Sequence, residues 1–382
     1  MTINQTRLTQ LTSLMSEHGW DLLLLYGHTW RKDYFRCLVN FNFQGPHAVA
    51  VVDRSGEVHV IVSDPWDAEA LDGATFAPDF AAALLPYATK PSVAIAGMEL
   101  MPAAFISTST SIPISTSISI SISTSVPIST NIRNRDREGV AVSATWEVEE
   151  LRRVKTPNEL TRIRQAAELS DRGYQHFAQS AEAGMTEYEL VAEVEAFLKS
   201  NGAEDNFMLI ASGGTEVVGM KPPTERKLQP GDSVTTELTP QIDGYWAQIC
   251  RTLVIGEPSS KQLEAFAIFA EARQAAEDAL RPGVNIADVA RATNDVFRKY
   301  GYGEYTGSKY TRVRGHNLGL HPDENPYVLE DVNYTVKEGM VVIAHPNTYL
   351  PLSGYMVFGD TLLVTADGCT SLNTTERKLF RK

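Results

Sequence analysis

A chain of 382 residues with 43% hydrophobic and 21% charged side chains has the composition of a folded globular protein, and it is long enough that two domains are expected. A formal charge of −13 excludes the clustered cationic surface that nucleic acid demands. Three scattered cysteines, Cys37, Cys250 and Cys369, exclude a disulfide framework and a CxxC metal site, and they imply a reducing, cytoplasmic compartment.

The first twenty residues read as an amphipathic helix without the basic-then-apolar layout of a signal peptide. No apolar run reaches membrane-spanning length, so neither export nor a membrane is expected. Asp21 to Gly27 (DLLLLYG), HAVAVVD, EVHVIVSD and PSVAIAG are strand-like runs, so residues 1–145 are expected to form a small α/β domain. Between the first two lies HTWRKDYFRCLVNFNFQGP, whose Arg31, Lys32 and Arg36 either reach an anionic ligand or solvate a surface. Residues 106–130 alternate Ile with Ser and are low complexity, which leaves an edge strand, a loosely specified loop or a helix forced by tertiary context open, and no function is assigned to them.

From residue 146 to 382 the pattern changes. Thr156-Pro157-Asn158-Glu159 and Thr186-Glu187-Tyr188-Glu189 are capping boxes that open two helices. The stretch Gly231 to Gly256 reads as two strands around an Asp-Gly turn, with Glu237 on the first. Because strand side chains alternate, Trp246, Gln248 and Cys250 share one face of the second strand. That face is either an ordinary half-buried hairpin surface or the wall of a pocket. Two further helices, roughly Ser260 to Leu280 and Ile286 to Tyr300, lead into a last stretch of strands and turns.

Five ordered motifs in this half resemble the creatinase, prolidase and methionine aminopeptidase family (M24): RRVKTPNEL, GD…DGY…RT followed by VIGEPS, Gly315-His316 with Gly319, EGMVV…P…Y, and DTLLVTADG. The resemblance implies an α+β chain, with a smaller N-terminal α/β domain preceding a pita-bread catalytic domain of curved antiparallel sheet and packed helices. Peptidases of the family hold two metal ions on five side chains, and those positions correspond here to Glu237, Gln248, His316, His345 and Gly359. Four of the five differ from the family's residues, and the two expected to bridge the ions carry no charge. Two close divalent ions need bridging carboxylates to offset their repulsion, so no bound metal and no cofactor are expected.

The resemblance to the metal-free creatinase branch then sets the leading expectation: a hydrolase that cleaves a C–N bond in a small, carboxylate-bearing substrate without metal. Met220 stands where that branch has its catalytic His, and Cys250 and His345 stand where it has Glu. His316 and His345 are the acid/base candidates, because imidazole titrates near neutrality. Glu237 and Gln248 are candidates to position water or substrate. Cys250 is a small apolar filler, a pocket wall, or a nucleophile if a cation lies near it. Arg312 and Arg314 are candidate carboxylate clamps, with Lys221 and Arg36 as weaker versions. Glu324 and Trp246 are candidate substrate contacts, and Tyr355 and Phe358 are candidates to fill the space of the lost metals. By the same resemblance the chain is expected to form a homodimer whose N-terminal domain reaches the partner's site. Two other readings stay open: a non-catalytic pseudo-peptidase that binds a peptide or metabolite, and a mononuclear metallohydrolase using Glu237, His316 and His345.

Overall fold

The computed structural model describes residues 2–88, 90–102, 105 and 141–382, so the low-complexity stretch 106–130 lies outside the described residues. The chain divides into two compact units, Met1–Arg152 and Arg153–Lys382.

The first unit opens on a helix, Gln5–His18, whose N-cap Asn4 accepts from the Arg7 amide and whose C-cap Gly19 sits in the left-handed region. Six strands follow: β1 (Leu22–His28), β2 (His47–Asp53), β3 (Val58–Val62), β4 (Ala74–Phe76), β5 (Val93–Ala96) and β6 (Val142–Ser143). They form one sheet in the order β4-β3-β2-β1-β5-β6. The continuous apolar runs in the sequence are explained by burial: Leu22, Leu24 and Tyr26 pack with Val49, Val51 and Ile61 in the unit's core.

In the second unit the expected capping boxes form. Thr156 and Glu159 open the helix Pro157–Ser180, Thr186 and Glu189 open Glu187–Ser200, and a third box, Ser259 with Gln262, opens Ser260–Ala279. The helix Ile286–Lys299 follows, capped by Asn285. The strands are β7 (Asp205–Gly213), β8 (Ser233–Ile242), β9 (Tyr245–Trp246), β10 (Ile249–Val254), β11 (Gly315–Asn317), β12 (Glu324–Tyr327), β13 (Val341–Ala344), β14 (Thr348–Leu350), β15 (Gly354–Met356), β16 (Gly359–Val364), β17 (Cys369–Ser371) and β18 (Phe380–Arg381). The main sheet runs β12-β11-β13-β16-β10-β8-β7, and its pairings along this path are antiparallel. Strands backed by helices make the unit α+β with the pita-bread layout.

Alternation along the strands separates the two faces. Leu238, Ile249 and Leu253 pack with Ile163's helix neighbours Leu169, Tyr174 and Phe177, and Val342, Ala344, Leu362 and Val364 pack with Ala276, Ile286 and Val289. This is the helix-covered face. The residues between them in sequence, Glu237, Cys250, Gly359, Thr361, Ile343 and His316, point the other way by register.

One ionic cluster sits inside the helix-covered face. Asp360 on β16 accepts from Arg251 Nη2 on the neighbouring strand at 2.6 Å and from Arg273 Nη2 on the helix Ser260–Ala279 at 2.5 Å. Arg251 also donates to the carbonyls of Cys250 and Gly359, at 2.9 and 2.7 Å. All three side chains are buried. Removing the anion would strand the buried Arg251 and leave Arg273 only Glu277, 3.1 Å away, so Asp360→Ala is expected to lower unfolding stability by about 3–5 kcal/mol. Urea denaturation measures this, and an unchanged midpoint would remove the cluster's anchoring role.

Candidate active site

The face opposite the helices carries a row of residues in direct register: Leu209 on β7, Glu237 on β8, Cys250 on β10 and Gly359 on β16. A second row joins Thr361, Ile343 and His316. Gln248 lies just before β10, where its backbone amide donates to Thr361 Oγ1 at 2.9 Å and Thr361 Oγ1 donates back to its carbonyl at 2.8 Å. The Gln248 side chain turns along the strand toward Cys250 Sγ, 3.4 Å away. Beyond β13 the chain makes a tight turn through His345-Pro346-Asn347, closed by the Asn347 amide donating to the His345 carbonyl at 2.7 Å.

Two contacts organise this face. Asn347 Nδ2 donates to Glu237 Oε1 at 2.6 Å, joining residues 110 positions apart. The rings of His316 and His345 stand edge to face with centroids 5.4 Å apart. Sequence reading missed Asn347, since an Asn after His-Pro carries no local signal that it meets a carboxylate on a distant strand. It missed Thr361 for the same reason.

The electrostatics follow from burial. Desolvation raises the Glu237 carboxyl to about 7, although the Cys250 thiol and the Asn347 amide bond to it and act in the opposite direction. Burial lowers His345 to about 3, helped by the neighbouring His316 and by Arg314. Burial also lowers His316, against the pull of Asp323, whose carboxylate lies 3.6 Å from Nδ1. Both imidazoles are therefore neutral at pH 7. A dry site holding two adjacent imidazoles favours their neutral, proton-accepting forms.

Other expected roles change. Burial and the adjacent Glu237 push the Cys250 thiol well above its ordinary value, so it is not a thiolate nucleophile. Arg314 is fully buried, donating to Asn294 Oδ1 at 2.5 Å and to the Asn347 carbonyl at 2.7 Å; it is a scaffold for the turn and not a substrate clamp. Arg312 is paired with the Asp331 carboxylate at 2.6 and 2.7 Å. Phe358 packs on the helix-covered side against Phe266, under Arg251 and Arg273, so it fills no metal space; strand alternation puts it on the same side as Asp360. Glu324 is taken up by Lys155 Nζ, Asn317 Nδ2 and the His321 amide, at 3.1, 3.0 and 3.1 Å.

The remaining candidates are placed as follows. Tyr355 is buried, and its hydroxyl bonds Thr311 Oγ1 at 2.8 Å; the nearby Glu237 adds to the upward shift that burial imposes on it. Trp246 is buried on β9 and its amide donates to the Gly319 carbonyl. Met220 is half-buried, and Lys221 is exposed while its backbone pairs with Ile210. Arg36 belongs to the first unit, where it is buried and donates to Asn40 Oδ1.

An antiparallel sheet whose face opposite the helices carries this ladder is the frame of a pita-bread hydrolase. The chain belongs to metallopeptidase family M24, whose model matches residues 161–366. Among curated relatives, the Xaa-Pro dipeptidase of Pyrococcus furiosus is 32% identical over 235 residues, covering 61% of this chain and 66% of the relative. That of Pyrococcus horikoshii is 31% identical with the same coverage. The chain thus matches just under two thirds of the length of these relatives. An X-Pro aminopeptidase structure from Thermotoga maritima shares the fold, with a TM-score of 0.82, 23% identity and coverage of 98% and 99% of the two chains. A prolidase structure from Thermococcus sibiricus aligns over all of both chains, with a TM-score of 0.81 and 22% identity.

These relatives overturn the expectation of a metal-independent, creatinase-like hydrolase acting on a small non-peptide substrate. They are dipeptidases in a metallopeptidase family. The family's two-ion centre nonetheless does not fit the residues of this chain. Glu237 is the one carboxylate in its row, Gln248 is a neutral amide, and Gly359 has no room for a side chain: a Cβ there would stand 2.5 Å from the Ala344 carbonyl and 2.7 Å from His345 Cβ. Among the described residues no group of three or more His, Cys, Asp and Glu side chains is arranged to hold an ion, and this also disfavours the single-ion reading of Glu237, His316 and His345. No helix of the described residues is long and apolar enough to cross a membrane.

The raised Glu237 has a signature in stability. Between its ordinary 4.5 and about 7 the folded state keeps a proton that the unfolded chain has released, so stability falls as pH rises across that window. Wild type minus Glu237→Gln is expected to decline on the order of 1.4 kcal/mol per pH unit there and to flatten above it. Denaturant titrations at a series of pH values read the difference. A flat difference from pH 4.5 to 7 would mean that Glu237 is not held protonated.

Proposed function

We propose that the face bearing Glu237, Asn347, His345 and His316 is a binding site for short peptides, with dipeptides of the Xaa-Pro class the first to test. The observation that carries this reading is a set of buried polar atoms without partners on that face: His345 Nδ1, Asn347 Oδ1 and Thr239 Oγ1. Thr239 shares the face with Glu237, two residues along β8. Buried hydrogen-bonding atoms are costly when unpaired, and a polar ligand would satisfy them. The peptide class comes from the Xaa-Pro dipeptidases to which the second unit is similar.

In this reading the chain's residues bind and orient. Asn347 holds Glu237 in one place, and the amide and carbonyl of Gln248 are locked to Thr361. With the two-ion ladder unsuited to metal, binding without rapid cleavage is the leading form, a pseudo-peptidase. A second form, hydrolysis of the same peptides, is favoured by one observation. A carboxyl held to about 7 inside a buried site is suited to accept and return a proton near neutrality. A homodimer in the cytoplasm remains part of the proposal. The family resemblance supports the first, and the small number and wide scatter of the cysteines support the second.

Calorimetry with Ala-Pro and with Ala-Ala, alongside chromatographic assay of cleavage in chelated and manganese-supplemented protein, separates the forms. Saturable binding without cleavage in both conditions is the expected result, weakened on the order of tenfold in His345→Ala. Cleavage in either condition selects the hydrolytic form. Absence of binding by both dipeptides would end the peptide reading.

A further inference from the structure

Glu237 and Asn347 lie on segments that the sheet order keeps apart. Strands β10 and β16 intervene between β8, which carries Glu237, and β13, which precedes Asn347. At ~4.8 Å per strand a flat sheet would separate the two by about 14 Å. Their side chains meet at 2.6 Å, so the chain beyond β13 leaves its strand and runs back over the face. It crosses at residue 359. Any Cβ at Gly359 would collide with the Ala344 carbonyl and with Cα and Cβ of His345, at 2.5 to 3.0 Å. The glycine and the crossing turn are therefore one feature: the missing side chain makes the space that His345-Pro346-Asn347 occupies.

The turn is fixed from several sides. Arg314 Nη1 donates to the Asn347 carbonyl at 2.7 Å, the Asn347 amide donates to the His345 carbonyl at 2.7 Å, and Thr348 Oγ1 donates to the Tyr305 carbonyl at 2.5 Å. With its backbone pinned, the Asn347 amide is presented to Glu237 without further ordering. The carboxylate receives this N–H and the bond from the Cys250 thiol, both from uncharged groups. A neutral donor thus occupies the one carboxylate of a row that in a metallopeptidase would face a cation.

We propose that Asn347 is this chain's internal substitute for the ladder's cations: its Nδ2–H engages Glu237, and together with the turn seated over Gly359 it closes the position to divalent metal. Asn347 then sets the choice between metal and organic ligand at this face. The inference rests on the family's ladder geometry and not on the peptide reading, so either can fail alone.

The test is metal content after dialysis of the full-length protein against Mn²⁺ or Zn²⁺, read by elemental analysis with folding checked by circular dichroism. Wild type and Glu237→Gln are expected to retain the same metal. Asn347→Asp, which sets a second carboxylate against Glu237 beside His345, is expected to gain one equivalent that disappears when Glu237→Gln is added. Asn347→Glu, which supplies the second carboxylate on a longer side chain, serves if the aspartate variant does not fold. Two results would overturn the proposal. One is an equivalent of metal in wild type that Glu237→Gln removes. The other is a folded Asn347→Asp or Asn347→Glu protein that gains no Glu237-dependent metal.

Discussion

The buried carboxylate of Asp360, held between Arg251 and Arg273, is the interaction on which the second unit's geometry rests. It ties β16 to β10 and both to the helix Ser260–Ala279, while Arg251 reaches the carbonyls of Cys250 and Gly359. Those two residues are register partners on the opposite face. An ionic cluster on the helix side thus sets, through one backbone step, where the ladder positions stand on the other. Phe358 stacks on the same two guanidinium groups, so the cluster is sealed from water as well as paired.

On the ladder side the fold of a metallopeptidase carries side chains of a different chemistry. Carboxylates that face cations are stabilised as anions, whereas Glu237 is dried, and its affinity for a proton rises although the bonds from Cys250 and Asn347 oppose the rise. The two imidazoles are dried in the same way and lose protons instead. The outcome is a face whose imidazoles are neutral and whose carboxyl titrates near neutral pH. That suits recognition through hydrogen bonds more than the holding of two divalent ions.

Much of the architecture was legible in the chain itself. The capping boxes at Thr156 and Thr186 start helices because reciprocal side-chain and backbone bonds form within four residues. The motif order from RRVKTPNEL to DTLLVTADG identified the family, and strand alternation put Gln248 and Cys250 on one face. The candidate side chains were less legible. Arg312, Arg314 and Glu324 had the right chemistry for a ligand, yet Asp331, Asn294 and Lys155 had already claimed them. Those partners lie between 19 and 169 residues away, beyond the reach of any local pattern.

The sequence by itself determined which residues stand at the ladder positions, and so that the charges of a two-ion site are missing; residue identity and strand alternation are local properties. Only the tertiary structure decided what takes the place of the ions. Glu237 and Asn347 are 110 residues apart and meet because the chain beyond β13 turns back across two strands, over a glycine that leaves it room. Such a contact is made by the path of the folded backbone, and neither periodicity nor composition encodes that path in any one segment.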